Sequence, residues 1–294
     1  ADKLSPLQKI FVNEKSSWIS NYSWRPAKLF EGANMLLAIV LSTKSNEKLI
    51  QSTVYYKWYN DYRNVLFENI SYNNATNIIQ KGTIPKIPSD LYYSIVQKLK
   101  NKSKTKRVID FFRNQPTKYK FFYFRAVLYW VKILEDEPIF RENGIQTTTG
   151  EMKPVYVESS EMKYTLISLL SSSLFFVHYI TLSSCQVINS RDFELPFDFN
   201  SLTPEIKSKL NRLGKRLLID LQDNSNVQVR NYSSKGREFT MEKQYFYIKK
   251  SKDIIDEIDT VLAEHYGFTD EELDFIINYD IKYRMGKELE GEEE

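Results

Sequence analysis

SWISNYSWRPAKLFEGANMLLAIVLS, residues Ser17–Ser42, is the stretch that decides the fold class. It holds two apolar runs, SWISNYSW (Ser17–Trp24) and MLLAIVLS (Met35–Ser42), joined by RPAKLFEGAN, where Pro26 and Gly32 mark turns. The second run is apolar at nearly every position, the pattern of a strand covered on both faces of a sheet. Such a strand needs a large sheet, yet only a short helix, Leu4–Asn13, is expected before the first run. The segment is therefore expected to form the last strands of a domain whose beginning is missing. The lack of an initiator Met carries the same expectation.

Outward from this segment, LIQSTVYYKW (Leu49–Trp58) has strand composition, and KGTIPKIPSD (Lys81–Asp90) is a loop. Ser89 or Asp90 can cap a helix through Leu99 that carries Leu91, Ile95 and Leu99 on one face. The charged run KNKSKTKR (Lys100–Arg107) marks a domain boundary. YKFFYFRAVLYWVKIL (Tyr119–Leu134) fits strand or helix, and NGIQTTTGEMKPVYVES (Asn143–Ser159) is loop plus strand. Between Lys163 and Arg191 no formal charge occurs. That length could span a bilayer, but it lacks flanking basic clusters and aromatic belts, so a buried core helix capped by Ser160 is expected. SLTPEIKSKLNRLGKRLLIDLQ (Ser201–Gln222) is the clearest helix: Thr203 caps it, Pro204 opens it, and Ile206, Leu210, Leu213, Leu217 and Leu221 form one stripe. VQVRNYSSKGREFTMEKQYFYI (Val227–Ile248) alternates about a turn at SSKG, as a hairpin does. A helix near Asp253–His265 closes at Gly267, Thr269–Glu272 is a capping box for a last helix, and the final GEEE is expected to fray. The expected class is α+β: a remnant hairpin and connector over 1–100, a mixed α/β domain over 101–250, and an acidic helical tail over 251–294.

Composition narrows the chemistry. Of 294 residues 42% are hydrophobic, which excludes wholesale disorder. The single Cys excludes a disulfide framework and a thiolate zinc site, and fits a reducing, cytoplasmic setting. Two His are too few for a His-rich metal site, and nine isolated Gly leave no glycine-rich phosphate loop. The net charge of +3 conceals a division: residues 251–294 carry −11 and the remainder +14. A basic, tyrosine-rich body points to a polyanion, with a lysine-rich solvated surface as the ordinary alternative. Cys185 lies seven residues after His178, so the two could share a helix face, but a buried thiol and a core histidine are the simpler reading. His265 at a helix end is placed for an imidazolium to favour the dipole. Asp253, Asp256, Glu257 and Asp259 are expected on a solvated face.

Three groups combine cations with aromatics or amides. PTKYKFFYFR presents Lys118, Lys120 and Arg125 among aromatics; as a strand it would turn the cations outward and the rings inward. QVINSRDF presents Gln186, Asn189, Ser190 and Arg191, side chains of the kinds that contact base edges and phosphates. Arg230, Lys235 and Arg237 lie on the hairpin. For each group the alternative is a hydrogen-bonded surface loop.

Taken in order, these segments resemble adenine-N6 DNA methyltransferases of the large restriction–modification kind, including fused type IIG enzymes. The likeness runs through Ser17–Ser42, YYKWYNDYRNVLFENI (Tyr55–Ile70), YFRAVLYWVKI (Tyr123–Ile133), LISLLSSSLFFVHYI (Leu166–Ile180), CQVINSRDFELPF (Cys185–Phe197) and Ser251–Arg284. The resemblance implies a Rossmann-like catalytic domain followed by a target recognition domain that binds double-stranded DNA. It also implies S-adenosylmethionine as cofactor, held by an F-x-G-x-G loop, and an N-P-P-Y loop at the target adenine. Neither loop is in this sequence; NQPTKY (Asn114–Tyr119) has the wrong order. The cofactor, the catalytic residues and the N-terminal catalytic domain are therefore expected to belong to a larger enzyme, and this chain to be inactive alone. Phe30 occupies the place of the aromatic that, in the family, packs on the flipped adenine; a core phenylalanine is the alternative. A separately encoded DNA specificity subunit, or a non-enzymatic interaction scaffold, stays open as the other reading.

Overall fold

The computed structural model describes residues 5–79, 83–234 and 236–286. They form a mixed α+β fold of three small sheets and interspersed helices. The chain divides into two compact units: one of residues up to Lys98 together with Val177–Gln186, the other of Leu99–Phe176 and the residues from Val187 on.

In the first unit, α1 (Ser5–Glu14) leads into β1 (Lys15–Tyr22), followed by β2 (Leu37–Lys44), β3 (Ile50–Tyr56) and β4 (Asn73–Asn74). The strand order is β2-β1-β3-β4, with β1 antiparallel to β2 and parallel to β3. β1 and β3 are the inner strands, and β1 buries Ser16, Ser17, Ile19, Ser20 and Tyr22. Contrary to the expectation of two-sided cover, β2 is an edge strand, exposed at Ala38 and from Val40 through Lys44, with Leu41 62% exposed. An apolar run reports strand propensity, whereas burial must be supplied by neighbours. Among the described residues β2 has a neighbouring strand on one side only. α2 (Leu91–Lys102) buries Tyr92, Ile95, Val96 and Leu99 and extends into the charged run expected to be a boundary.

The second unit contains β5 (Tyr119–Phe124), β6 (Ile133–Leu134) and β9 (Met152–Val157) in the order β6-β5-β9. The run at Tyr119 is thus strand rather than helix. A second sheet joins β7 (Phe140–Glu142), β8 (Ile145–Gln146), β10 (Ser225–Ser234) and β11 (Arg237–Phe246) in the order β10-β11-β7-β8, all antiparallel.

The long apolar run is not one helix. It is α3 (Ser160–Ser171) and α4 (Ser173–Leu182), bent by 62° at Ser172. The Ser172 hydroxyl donates to the Leu169 carbonyl and accepts from the Phe175 N–H, so the side chain competes with the helical ladder. Ser159 rather than Ser160 caps α3. Among the described residues no single helix is long and apolar enough to cross a membrane, and every residue from Thr165 to Thr181 is buried.

α5 (Pro204–Asp223) buries its five-residue stripe against α3 and α6 (Lys252–Tyr266). Gly214 lies at the α3 contact, where a Cβ would come within 2.5 Å of the Tyr164 carbonyl oxygen and 2.8 Å of Ser168 Oγ. The helices touch there through backbone, and Ser168 Oγ donates to the Leu210 carbonyl at 2.7 Å. α6 ends on Gly267 in the left-handed region, φ +71°. Thr269 and Glu272 form the capping box of α7 (Asp270–Asn278). The last helix is broken at Asp280, φ +55°, before α8 (Ile281–Met285). The GEEE segment lies outside the described residues.

Candidate functional site

In the first unit, β1 delivers the chain into the loop that carries Phe30. The Ala27 N–H donates to the Trp58 carbonyl at 3.1 Å, and the Arg63 guanidinium donates to the carbonyls of Lys28 and Leu29. Tyr22, Ala27, Leu29, Trp58 and Leu66 form the apolar base beneath. The loop is held at its root while Phe30, one residue beyond buried Leu29, is 60% exposed. Nothing in the sequence marked Arg63 as the clamp: its partners are main-chain oxygens more than thirty residues earlier in the chain.

In the second unit, the cations flagged from sequence separate into distinct places. Lys118, just before β5, and Lys120 on it are exposed, with their ammonium groups over the rings of Tyr119 (4.9 Å) and Phe122 (5.2 Å). The expected clean alternation fails at Phe122, which shares the lysine side of the strand yet is buried, as is Phe121 on the opposite side. The neighbours β6 and β9 flank β5 and make it the central strand of its sheet. Arg125 follows β5. Its carbonyl accepts the Ile188 N–H at 2.8 Å, and Ala126 bridges to Val187, so Arg125 and the segment carrying Asn189, Ser190 and Arg191 come together. Asn189 caps a short 3-10 turn, Ser190–Phe193, where the Asp192 carboxylate accepts the Asn189 N–H at 2.7 Å. Burial raises the Tyr123 phenol above its ordinary pKa, with Arg125 opposing and Asp192 reinforcing the shift. Gln186 is exposed at the end of the segment assigned to the first unit.

Arg230 and Arg237 lie on the β10–β11 ribbon; Lys235 lies outside the described residues. Directly paired residues of an antiparallel ribbon share a face, and successive pairs alternate faces. The pairs Asn226–Tyr245, Gln228–Lys243, Arg230–Met241, Tyr232–Phe239 and Ser234–Arg237 make one face; Val227–Gln244, Val229–Glu242, Asn231–Thr240 and Ser233–Glu238 belong to the other. All three cations of the described ribbon, and neither of its two carboxylates, fall on the first face. There Tyr232 and Phe239 stack at 5.7 Å between centroids, the Lys243 ammonium lies 5.3 Å from the Tyr232 ring, and Arg237 lies 5.9 Å from Phe239. β7 adds Phe140 and Glu142 to this face and Arg141 to the other. Glu142 pairs with Arg237 at 2.6 Å, and Arg141 with Glu242 at 3.2 Å. Lys243 is a further cation of this face, legible from the hairpin alternation, beyond the Arg230, Lys235 and Arg237 expected from sequence.

The groups weighed for catalysis are engaged structurally. Asp259 is not on a solvated face: it is buried and accepts the N–H groups of Ser173 (3.0 Å) and Leu174 (3.1 Å), capping α4. Burial pushes its carboxyl up to about 6, partly offset by those N–H donors and by Arg284. Arg284 is itself buried, 3.9 Å from the Trp130 ring centroid, and donates to Ser173 Oγ; desolvation lowers it to about 10. His265 is not placed as an imidazolium, because burial, with the Lys102 charge, lowers it to about 4. Cys185 and His178 do not share a helix face, since α4 ends at Leu182 and Cys185 has φ +57°. Among the described residues no cluster of His, Cys, Asp and Glu could hold a metal ion.

Two cavities flank α5. One, of about 540 Å³, is bordered by Glu135, Tyr164, Lys215 and Phe246; the other, of about 710 Å³, by Arg212, Arg216, Lys250 and Asp253. No glycine lines either, and the glycines with positive φ have open space where a Cβ would stand. Among the described residues, neither of these two cavities has the close backbone approach of a glycine-rich cofactor cradle. Compared with protein-family models, with curated proteins and with solved structures, the chain has no match.

Proposed function

We propose that the chain is the double-stranded DNA recognition part of an S-adenosylmethionine-dependent adenine-N6 methyltransferase of a restriction–modification system. In this reading the first unit's sheet is the closing part of a Rossmann-like methyltransferase sheet, and the second unit is the target recognition domain. The observation that carries it is the display of Phe30: an aromatic ring held out on a clamped loop, as stacking on an extruded base requires. The exposed apolar edge of β2 supports a protein neighbour there, which the reading supplies as the catalytic domain. Cofactor binding belongs to that domain. The basic body, net +14, supports a polyanionic partner.

The test is duplex DNA titrated with the whole chain at a series of salt concentrations. Counterion release predicts that log affinity falls against log salt with a slope of about −0.9 for each phosphate neutralised. Binding that is absent, or flat in salt, rejects the reading. Phe30→Ala is expected to leave that slope unchanged, because the ring contacts no phosphate.

A further inference from the structure

We infer that the β10–β11 ribbon is the element that enters a groove of the duplex, and that it does so with its Arg230–Arg237–Lys243 face. This inference rests on the DNA reading above and adds which surface performs it. The first ground is segregation. Three cations and the Tyr232–Phe239 stack occupy one face, while Glu238 and Glu242 occupy the other. With β7 included, the first face holds three cations against the single carboxylate of Glu142, and the second holds Arg141 against Glu238 and Glu242, so the two faces differ in the sign of their charge. The second ground is exposure. β10 is the sheet edge, and the residues from Val229 to Ser233 are exposed on both sides of the strand. β7 covers β11 only over Met241–Lys243, with Asn143 bonding Thr240 just beyond. Past that point the ribbon extends three residues, roughly 10 Å at the usual strand rise, carrying Arg237 and the Tyr232–Phe239 stack, while Arg230 and Lys243 lie at its base, level with β7, where they would meet the groove's rim. The major groove is about 8.5 Å deep and wide enough for a two-stranded ribbon.

The contacts on this face suit the task. Arg237 is held by Glu142, but its side chain remains 68% exposed, and an exposed ion pair of this kind is weak enough for a phosphate to displace. Gln228 Oε1 accepts from Arg230 Nη2 at 2.8 Å, which orients one planar group against another beside the base edges. The stacked rings offer an apolar surface for a thymine methyl or a sugar.

Two double variants of matched charge separate the faces. Arg230→Gln with Arg237→Gln lowers the net charge by two on the first face, and Val229→Glu with Ser233→Glu lowers it by two on the second. All four positions are exposed, and equal unfolding midpoints confirm that each variant is folded. Lys243→Gln is a further reading of the first face. Titration of a labelled mixed-sequence duplex should show the first pair weakened roughly tenfold or more, with the salt slope reduced by about one unit per lost phosphate contact. The second pair should stay within about threefold of the unaltered chain. Equal losses on the two faces, or none on the first, overturn the ribbon assignment while leaving the DNA reading intact. Tighter binding of the matching single strand than of the duplex also overturns groove entry. An unaltered chain that binds no duplex overturns both.

Discussion

Asp259 and His265 lie six residues apart on one helix, both buried, and their ionisation is perturbed to opposite effect on stability. The Asp259 carboxyl, raised to about 6, holds its proton longer in the folded chain, so its contribution falls as pH rises from about 4 to about 6. His265, lowered to about 4, takes up its proton earlier when unfolded, so its contribution is lost as pH falls from about 6.5 to about 4. Each change is roughly 3 kcal/mol, and over their shared window the two nearly cancel. Urea unfolding at pH 4.0–6.5 should therefore show Asp259→Asn losing stability more steeply than the unaltered chain as pH falls, and His265→Gln losing it as pH rises. Parallel pH profiles for all three proteins would refute the assignment. Both burials were legible, since Ile255, Ile258, Asp259, Leu262 and His265 follow the helical stripe, whereas the charge shared by Asp253, Asp256, Glu257 and Asp259 does not tell the buried carboxylate from the solvated ones. Phe30 and Leu29 make a second comparison. Leu29→Ala should cost about 2–5 kcal/mol, as buried leucines do, whereas Phe30→Ala should cost less than about 1 kcal/mol instead of the usual 3–5. A core-sized loss at Phe30 would make it a packing residue.

Gly214 shows how an element's propensity and its packing can disagree. An Ala inside an exposed helix gains about 1 kcal/mol over Gly. At Gly214 the added carbon meets the α3 backbone, so Gly214→Ala should lower stability by roughly 1–3 kcal/mol in thermal or urea unfolding, and a stabilised variant would show that the α3–α5 contact is looser than described. α5 was legible because cap, first-turn proline and a five-residue stripe all name the same helix. The β10–β11 hairpin was legible for the like reason that turn and alternation agree. β2 and the α3–α4 bend were not. An apolar strand reads the same whether or not a layer covers it, and at the bend the N–H groups freed beside Ser172 are capped by Asp259, which arrives some 86 residues later in the chain. The clamp on the Phe30 loop escaped because Arg63 binds main-chain oxygens, which any sequence supplies.

For the whole molecule, the function proposed above implies a division of labour. The chain should not bind S-adenosylmethionine alone; calorimetric titration at micromolar cofactor should give only heats of dilution, and saturable heat would place a cofactor site here after all. The partition of the chain has a separate bearing on biosynthesis. The first unit takes in Val177–Gln186, a piece encoded far downstream of Lys98. On a ribosome, the first ninety-odd residues emerge well before that piece exists. At about 5–20 residues per second, several seconds to roughly twenty pass before it leaves the exit tunnel. Through that interval the nascent chain offers an unfinished core to whatever chaperones meet it. Expression from two separately translated halves, split between Lys98 and Leu99, would strand the missing piece on the other polypeptide, so the first half made alone should be recovered in the aggregated fraction.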